Sequence, residues 1–334
     1  MNFIITKKCD KNCPYCFAHQ ARVEDPSSYM TLDQFSRLVD QCCEGHIKLL
    51  GGEPTQHPNF PEILSILEGK HKSITLISNF LFKEPILQTI LDHLAKGMDI
   101  SFLINSTDLD KFNRLETFKH NYKTLYNFLY SKNLEEKLSC GITIYEENDL
   151  EYYINYLETL KENLVKIERL RVSLNFPGEI SDKGPEKIIH RTDLGQIMLG
   201  IITWCLNNFI TPSIDCCYYP CLFSNKEELK IIQKFTQKSR IFCGHDGAPS
   251  DLFPDETVSF CYPLKDKLAL NFRDYHSTRE ANSALVTEYQ IVKSLVDLPE
   301  KCKNCQFLKC GMCEGPCLGF YNLEDLDLPN WLKK

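Results

Sequence analysis

His46-Ile-Lys-Leu-Leu-Gly-Gly-Glu-Pro-Thr-Gln-His-Pro-Asn-Phe-Pro-Glu-Ile-Leu-Ser-Ile-Leu-Glu-Gly-Lys-His-Lys-Ser-Ile-Thr-Leu-Ile-Ser78 holds one complete structural unit. Residues 46–50 and 73–78 are rich in Ile, Leu and Thr, as strands are, and 61–68 has apolar residues at helical spacing. The same alternation extends outward in both directions. Further strands are expected at 2–6, 99–104, 139–145 and 170–175, with helices at 32–43, 84–96, 109–131 and 150–164. Thr31 followed by Gln34 ahead of an apolar run reads as a capping box. Six strands, each followed by a helix, imply a parallel sheet with right-handed crossovers. Such a sheet can curl into a partial (β/α)6 TIM-like barrel, an α/β fold with its chemistry at the C-terminal strand ends. The loops after the first two strands are therefore the expected site.

Helical periodicity resumes at 196–208, and Pro212 opens a different texture. From there the chain is loop-rich and cysteine-dense, with short helices expected at 226–235 and 278–295 and a hairpin near 253–260. The reading divides 334 residues into a barrel of 1–211 and a cysteine-rich domain of 212–334. A formal net charge of −7 argues against a broad phosphate-binding surface, so no nucleic-acid partner is expected. The apolar stretch 197–210 contains Asn207 and Asn208 and is too short to span a bilayer. The opening residues lack a signal peptide's apolar run and cleavage site. A soluble, cytoplasmic protein without a membrane partner is expected.

Seventeen cysteines are many for such a chain. Where thiols stay reduced, clustered cysteines are more often metal ligands or catalytic groups than disulfides. Cys9-Asp-Lys-Asn-Cys13-Pro-Tyr-Cys16-Phe17 is a CxxxCxxC run followed by an aromatic. Three thiolates this close can hold three irons of one cubane and leave the fourth open; a zinc knuckle with a borrowed fourth ligand is the alternative. Gly51-Gly52-Glu53-Pro54 follows at the end of the second strand. Its glycines permit close backbone approach to a ligand, and Glu53 can accept from an ammonium group. Later come Cys216, Cys217, Cys221, Cys243, Cys261, Cys302-Lys-Asn-Cys305, Cys310-Gly-Met-Cys313 and Cys317. CxxC pairs on turns are metal knuckles, of zinc or of iron–sulfur type, and the block could supply two four-thiolate sites.

Over roughly residues 1–180 the sequence resembles the radical S-adenosylmethionine (SAM) superfamily. The resemblance implies that Cys9, Cys13 and Cys16 hold a catalytic 4Fe-4S cluster whose open iron binds S-adenosylmethionine. It implies that Glu53, with Gly51, Gly52 and Pro54, holds the methionine ammonium, and that Phe17 lies near the adenine. Ser78-Asn79 matches the place of the family's Thr-Asn-Gly, with Phe80 in place of the glycine. Asn105 and Arg171 are further cofactor-site candidates.

The C-terminal block resembles the SPASM/Twitch extension, which implies one or two auxiliary 4Fe-4S clusters. Its candidate ligands are Cys216, Cys221, Cys243, Cys261, Cys302, Cys305, Cys310, Cys313 and Cys317. Glu256 stands where glycine is usual after Pro254-Asp255, and two further departures stand out. The interval from Cys305 to Cys313 is longer than the common pattern unless Cys310 is the true ligand, and no cysteine follows Cys317, so Cys216 or Cys221 is expected to replace it. Cys205, Cys217 and Cys310 are possible spares, either buried hydrophobes or hydrogen-atom donors.

The resemblance implies an enzyme that cleaves S-adenosylmethionine reductively to a 5′-deoxyadenosyl radical and abstracts hydrogen from a substrate. Ribosomally made peptides or proteins are the leading substrate class, through crosslinking, thioether formation, epimerisation or oxidation. A small-molecule dehydrogenase or carbon–carbon bond-forming enzyme is the alternative, and a non-catalytic iron–sulfur or zinc regulator a third. A reductase, flavodoxin or ferredoxin would supply electrons. With Cys9 so near the start, a leader-binding domain is not expected ahead of the barrel, and leader recognition falls to the barrel surface, the C-terminal domain or a separate protein.

Overall fold

The computed structural model describes all residues except 20, 21, 23, 24, 26, 27, 108–113, 146, 147, 176–188, 190, 216, 217, 237–247, 322 and 324–334. Seven parallel strands succeed one another in chain order: β1 (Asn2–Thr6), β2 (His46–Gly51), β3 (Ser73–Ser78), β4 (Ile100–Asn105), β5 (Leu138–Ile144), β6 (Arg169–Leu174) and β7 (Thr211–Asp215). Helices α1 (Leu32–Asp40), α2 (Phe60–Gly69), α3 (Glu84–Ala95), α4 (Leu115–Tyr130), α5 (Leu150–Asn163) and α6 (Thr192–Asn207) connect them, and α7 (Lys226–Phe235) follows β7. A strand order that never reverses keeps these crossover helices on one face, which is what separates a partial barrel from a doubly wound sheet.

Burial along β4 records this asymmetry. Ile100, Phe102 and Ile104 are buried, while Ser101, Leu103 and Asn105 on the opposite face are half-buried. Between sheet and helices the core is closed by side chains such as Phe3, Phe35, Phe102, Phe118 and Tyr122. At the start of α1, the Thr31 hydroxyl accepts from the Gln34 amide at 3.2 Å and Gln34 Oε1 accepts from the Thr31 amide at 3.3 Å, the expected capping box.

The sheet extends beyond the six expected parallel strands at both edges. β7 pairs with β6 from Arg169 opposite Thr211 to Ser173 opposite Asp215. Pro212 obscures this strand in the sequence, yet an edge strand tolerates proline because its outer N–H groups have no ladder to join. The boundary expected near residue 211 falls where β7 begins. At the other edge, β8 (Asp251–Leu252) runs parallel to β1, and β9 (Thr257–Ser259) and β10 (Leu270–Asn271) continue antiparallel. The expected hairpin is thus part of the main sheet. Helix α8 (Thr278–Leu295) and the short turns around Cys302, Cys305 and Cys317 complete the C-terminal region. No helix among the described residues is long and apolar enough to cross a membrane.

Candidate functional site

The site begins where β2 ends beside the cysteine loop. Gly52 N donates to Thr6 O at 2.8 Å and Glu53 N to Lys8 O at 2.7 Å, so the Gly-Gly-Glu segment runs directly along the start of that loop. A Cβ on Gly51 would lie 2.4 Å from Thr6 O, and one on Gly52 2.4 Å from the carbonyls of both Lys7 and Lys8. The close approach expected of these glycines is therefore to the cysteine-bearing backbone.

Glu53 is 1% exposed. Its Oε1 accepts from Thr55 Oγ1 at 2.7 Å and Ser78 Oγ at 2.8 Å, and its Oε2 from Asn79 N at 2.7 Å. Burial pushes this carboxyl above the usual carboxylate range, against the pull of those hydrogen bonds. Among the described residues no ion pair reaches it, so its charge suits a cation brought by a ligand. Asn79 also donates Nδ2 to Asp10 Oδ1 at 2.9 Å, which ties the end of β3 to the cysteine loop. Phe80, where the resemblance leads one to expect glycine, has a left-handed backbone with φ 63°. Complete burial against Phe82, Phe102 and Phe118 offsets the roughly 1 kcal/mol that a left-handed residue costs.

The cysteine loop is braced from several sides. Tyr15 donates to Thr107 O at 2.9 Å and packs on Tyr145, reaching the ends of β4 and β5. Asp10 pairs with Arg114. Arg22 donates to Lys11 O at 2.7 Å and Cys9 O at 3.4 Å, with its other nitrogen 3.7 Å from Cys16 Sγ. Burial pushes the Cys9 thiol up to about 12, and Cys13 is raised for the same reason. Among the described residues no three His, Cys, Asp or Glu side chains converge as they would around a bound ion. Cys9, Cys13 and Cys16 instead share one short loop and one neighbouring guanidinium. Phe17 is half exposed, its ring 5.6 Å from that of Tyr262. Asn105 at the end of β4 has a buried Oδ1 without a hydrogen bond among the described residues. Arg171 reaches Ser173 Oγ at 3.5 Å on β6. A buried carboxylate after β2 and an orphaned amide oxygen at the end of β4 fit a ligand with both cationic and hydroxyl or amine groups, as S-adenosylmethionine has.

A second constellation lies in the C-terminal region. Cys221, Cys302, Cys305 and Cys313 line one cleft with Tyr219 and Pro316. Gly195 in α6 makes room for it: a Cβ there would fall 2.0 Å from Leu222 O, so only glycine lets the turn carrying Cys221 press against this helix. Cys313 Sγ and Cys317 Sγ each accept an amide two residues on, from Gly315 at 3.3 Å and Gly319 at 3.4 Å. Cys9 Sγ accepts the Lys11 amide in the same way at 3.4 Å. Such N–H···S bonds orient thiolates and tune the groups they hold. Cys310 is exposed, faces the Phe307 carbonyl at 3.5 Å, and is not among the cleft's lining residues. Cys261 caps the helical turn that carries Tyr262. Cys216, Cys217 and Cys243 lie outside the described residues. Cys205 is fully buried in α6, the small-hydrophobe alternative. Arg22 is not singled out in the sequence, where an isolated arginine carries no pattern, and Glu256 stands out there only as a departure from glycine, with no sign of what its side chain would bind.

An α/β partial barrel with three cysteines on the loop after its first strand, a buried glutamate after its second and a cysteine-rich region following defines the class. Residues 3–130, from β1 to α4, match the radical SAM superfamily. Members of that family use a 4Fe-4S cluster and S-adenosylmethionine.

The chain is similar to a probable GTP 3′,8-cyclase of Methanococcus maripaludis, 26% identical over 201 residues, or 58% of this chain and 63% of that protein. It thus spans less than two thirds of that relative's length. Similarity to an S-adenosylmethionine-dependent nucleotide dehydratase of Selenomonas ruminantium is 31% over 83 residues, or 24% of this chain and 29% of the other. Among solved structures, Streptococcus suis SuiB bound to S-adenosylmethionine matches with a TM-score of 0.62, at 17% identity, over 95% of this chain and 72% of that one. SuiB bound to its precursor peptide SuiA gives 0.63, at 19% identity, over 95% and 71%. At these identities the likeness is one of fold.

Proposed function

We propose that this chain is a radical SAM enzyme acting on a ribosomally made peptide or protein. The observation that carries the substrate class is the likeness to SuiB over 95% of the chain, since one SuiB structure holds a precursor peptide. Cys9, Cys13 and Cys16 would hold the 4Fe-4S cluster. When bound, the cluster and S-adenosylmethionine supply a 5′-deoxyadenosyl radical that abstracts hydrogen from the substrate. Glu53 receives the methionine ammonium, its carboxylate oriented by Ser78, Thr55 and the Asn79 amide. Asn105 would offer an acceptor from β4 and Arg171 a cation from β6, and Phe17 an exposed ring for the adenine. The barrel wall excludes water from the reacting carbon. Cys221, Cys302, Cys305 and Cys313 would hold an auxiliary cluster. Cys261 and Cys317, with Cys216 and Cys243, would hold a second, leaving the exposed Cys310 spare. A reductase or a flavodoxin- or ferredoxin-type donor would supply electrons, and leader recognition would fall to the barrel surface, the C-terminal region or a separate protein.

A second reading has its own support: the relatives named as GTP 3′,8-cyclases favour a small nucleotide substrate. The test is anaerobic reconstitution with iron and sulfide analysis, then assay for 5′-deoxyadenosine with a reductant. About twelve irons falling to about eight when Cys9, Cys13 and Cys16 are all changed to alanine would support three clusters. Mass change in a peptide encoded beside this gene, with GTP untouched, supports the peptide substrate. Conversion of GTP favours the second reading, and zinc without iron sinks both.

A further inference from the structure

Cys9 and Cys16 stand at opposite ends of the cysteine loop, and one side chain touches both ends. Arg22 follows Cys16 by two turn-forming bonds, His19 N to Cys16 O and Arg22 N to Ala18 O, each 3.1 Å, which fold it back over the loop. Its guanidinium then meets Lys11 O at 2.7 Å, Cys9 O at 3.4 Å and Cys16 Sγ at 3.7 Å. All three thiols lie within its electrostatic reach. The nearest acidic side chain on the loop, Asp10, is already engaged by Arg114 and Asn79.

We propose that Arg22 is a positioning residue of the cysteine loop, whose fixed charge beside the Cys16 sulfur holds the three thiolates together and raises the reduction potential of the cluster they carry. The inference rests on the reading of Cys9, Cys13 and Cys16 as that cluster's ligands. Three thiolates in one partly buried loop repel one another, and a cation at hydrogen-bonding range offsets that repulsion. Reduction adds negative charge, so a neighbouring fixed cation favours the reduced form, as hydrogen bonds to cluster sulfurs do. Arginine suits the place because its planar fork serves two carbonyls and a sulfur together, which a lysine's single nitrogen cannot.

The experiment is an EPR-monitored redox titration of the reconstituted full chain, with Arg22→Gln and Arg22→Lys beside it. The signal absent from the Cys9/Cys13/Cys16 triple-alanine chain identifies the cluster concerned. The expected result is a more negative midpoint for that signal in Arg22→Gln, with Arg22→Lys in between and the other signals unmoved. Loss of the signal's iron from a folded Arg22→Gln chain, restored in Arg22→Lys, also supports the charge role. An unchanged midpoint at full iron content overturns it, as does equal iron loss in both variants, which would make the residue a steric brace. If the triple variant loses neither iron nor a signal, the ligand reading itself fails and the proposal falls with it.

Discussion

The carboxylate of Glu256, in the turn between β8 and β9, lies 2.8 Å from the guanidinium of Arg37 on α1. Arg273 binds the same carboxylate through Nε at 2.9 Å and Nη2 at 3.0 Å, and Gln34 Nε2 donates to it at 3.2 Å. One buried acid thus clasps the first barrel helix to the C-terminal hairpin. Its backbone is left-handed, φ 62°, at the position where the resemblance leads one to expect glycine.

That clasp has a measurable signature. Glu256→Ala keeps the backbone strain and removes four charge-assisted contacts, and should destabilise by about 1–3 kcal/mol. Glu256→Gly loses the same contacts and relieves about 1 kcal/mol of strain, so it should be the milder change. Urea denaturation of both variants reads the difference. Equal destabilisation would mean that the turn stores no strain.

Gly52→Ala should act on the site through its frame. The added Cβ meets two backbone carbonyls at 2.4 Å, and neither can give way without moving the cysteine loop. A loss of about 3 kcal/mol or more is expected, or else a displaced loop that no longer loads iron. Melting temperature and iron content of the folded fraction check this.

Asp251 makes stability depend on pH. It lies on β8 beside Asn2, whose Nδ2 donates to it at 2.7 Å, at the N-terminal end of β1 and away from the cysteine loop. Burial lifts its carboxyl from 3.8 to about 7, with Asn2 and Lys48 pulling the other way. Because the folded value is raised, the native chain binds the extra proton, and stability falls as pH climbs from about 4 toward about 7, by up to about 4 kcal/mol. Asp251→Asn should lie near the parent at or below about pH 4 and exceed it increasingly up to about pH 8. Parallel pH profiles of melting temperature for the two chains would refute this.

Cys221 and Cys310 should behave differently although both lie in the cysteine-rich region. Cys221→Ser removes one wall of the cleft shared with Cys302, Cys305 and Cys313 and should lower iron by about four per chain. Cys310→Ser should leave iron unchanged, since that thiol is exposed. Iron analysis after anaerobic purification decides it; the reverse pattern would move the fourth ligand to Cys310.

The strands, their parallel order and the pairing of the cysteine loop with Gly51-Gly52-Glu53 are determined by the sequence alone. Alternation of two and of 3.6 residues is local, and two motifs that follow successive parallel strands must end side by side. β7 escaped that reading because Pro212 looks like a breaker until the strand is known to lie at an edge. Only the tertiary structure decided that Cys221 joins Cys302, Cys305 and Cys313, because contacts between segments some eighty residues apart leave no periodic trace. It likewise decided that Phe80 and Glu256 could take glycine's backbone: one is held by an aromatic core and the other by arginines from two distant elements. Side chains that stabilise a strained turn are chosen by what the fold brings near them, and that neighbourhood exists only once the chain has closed.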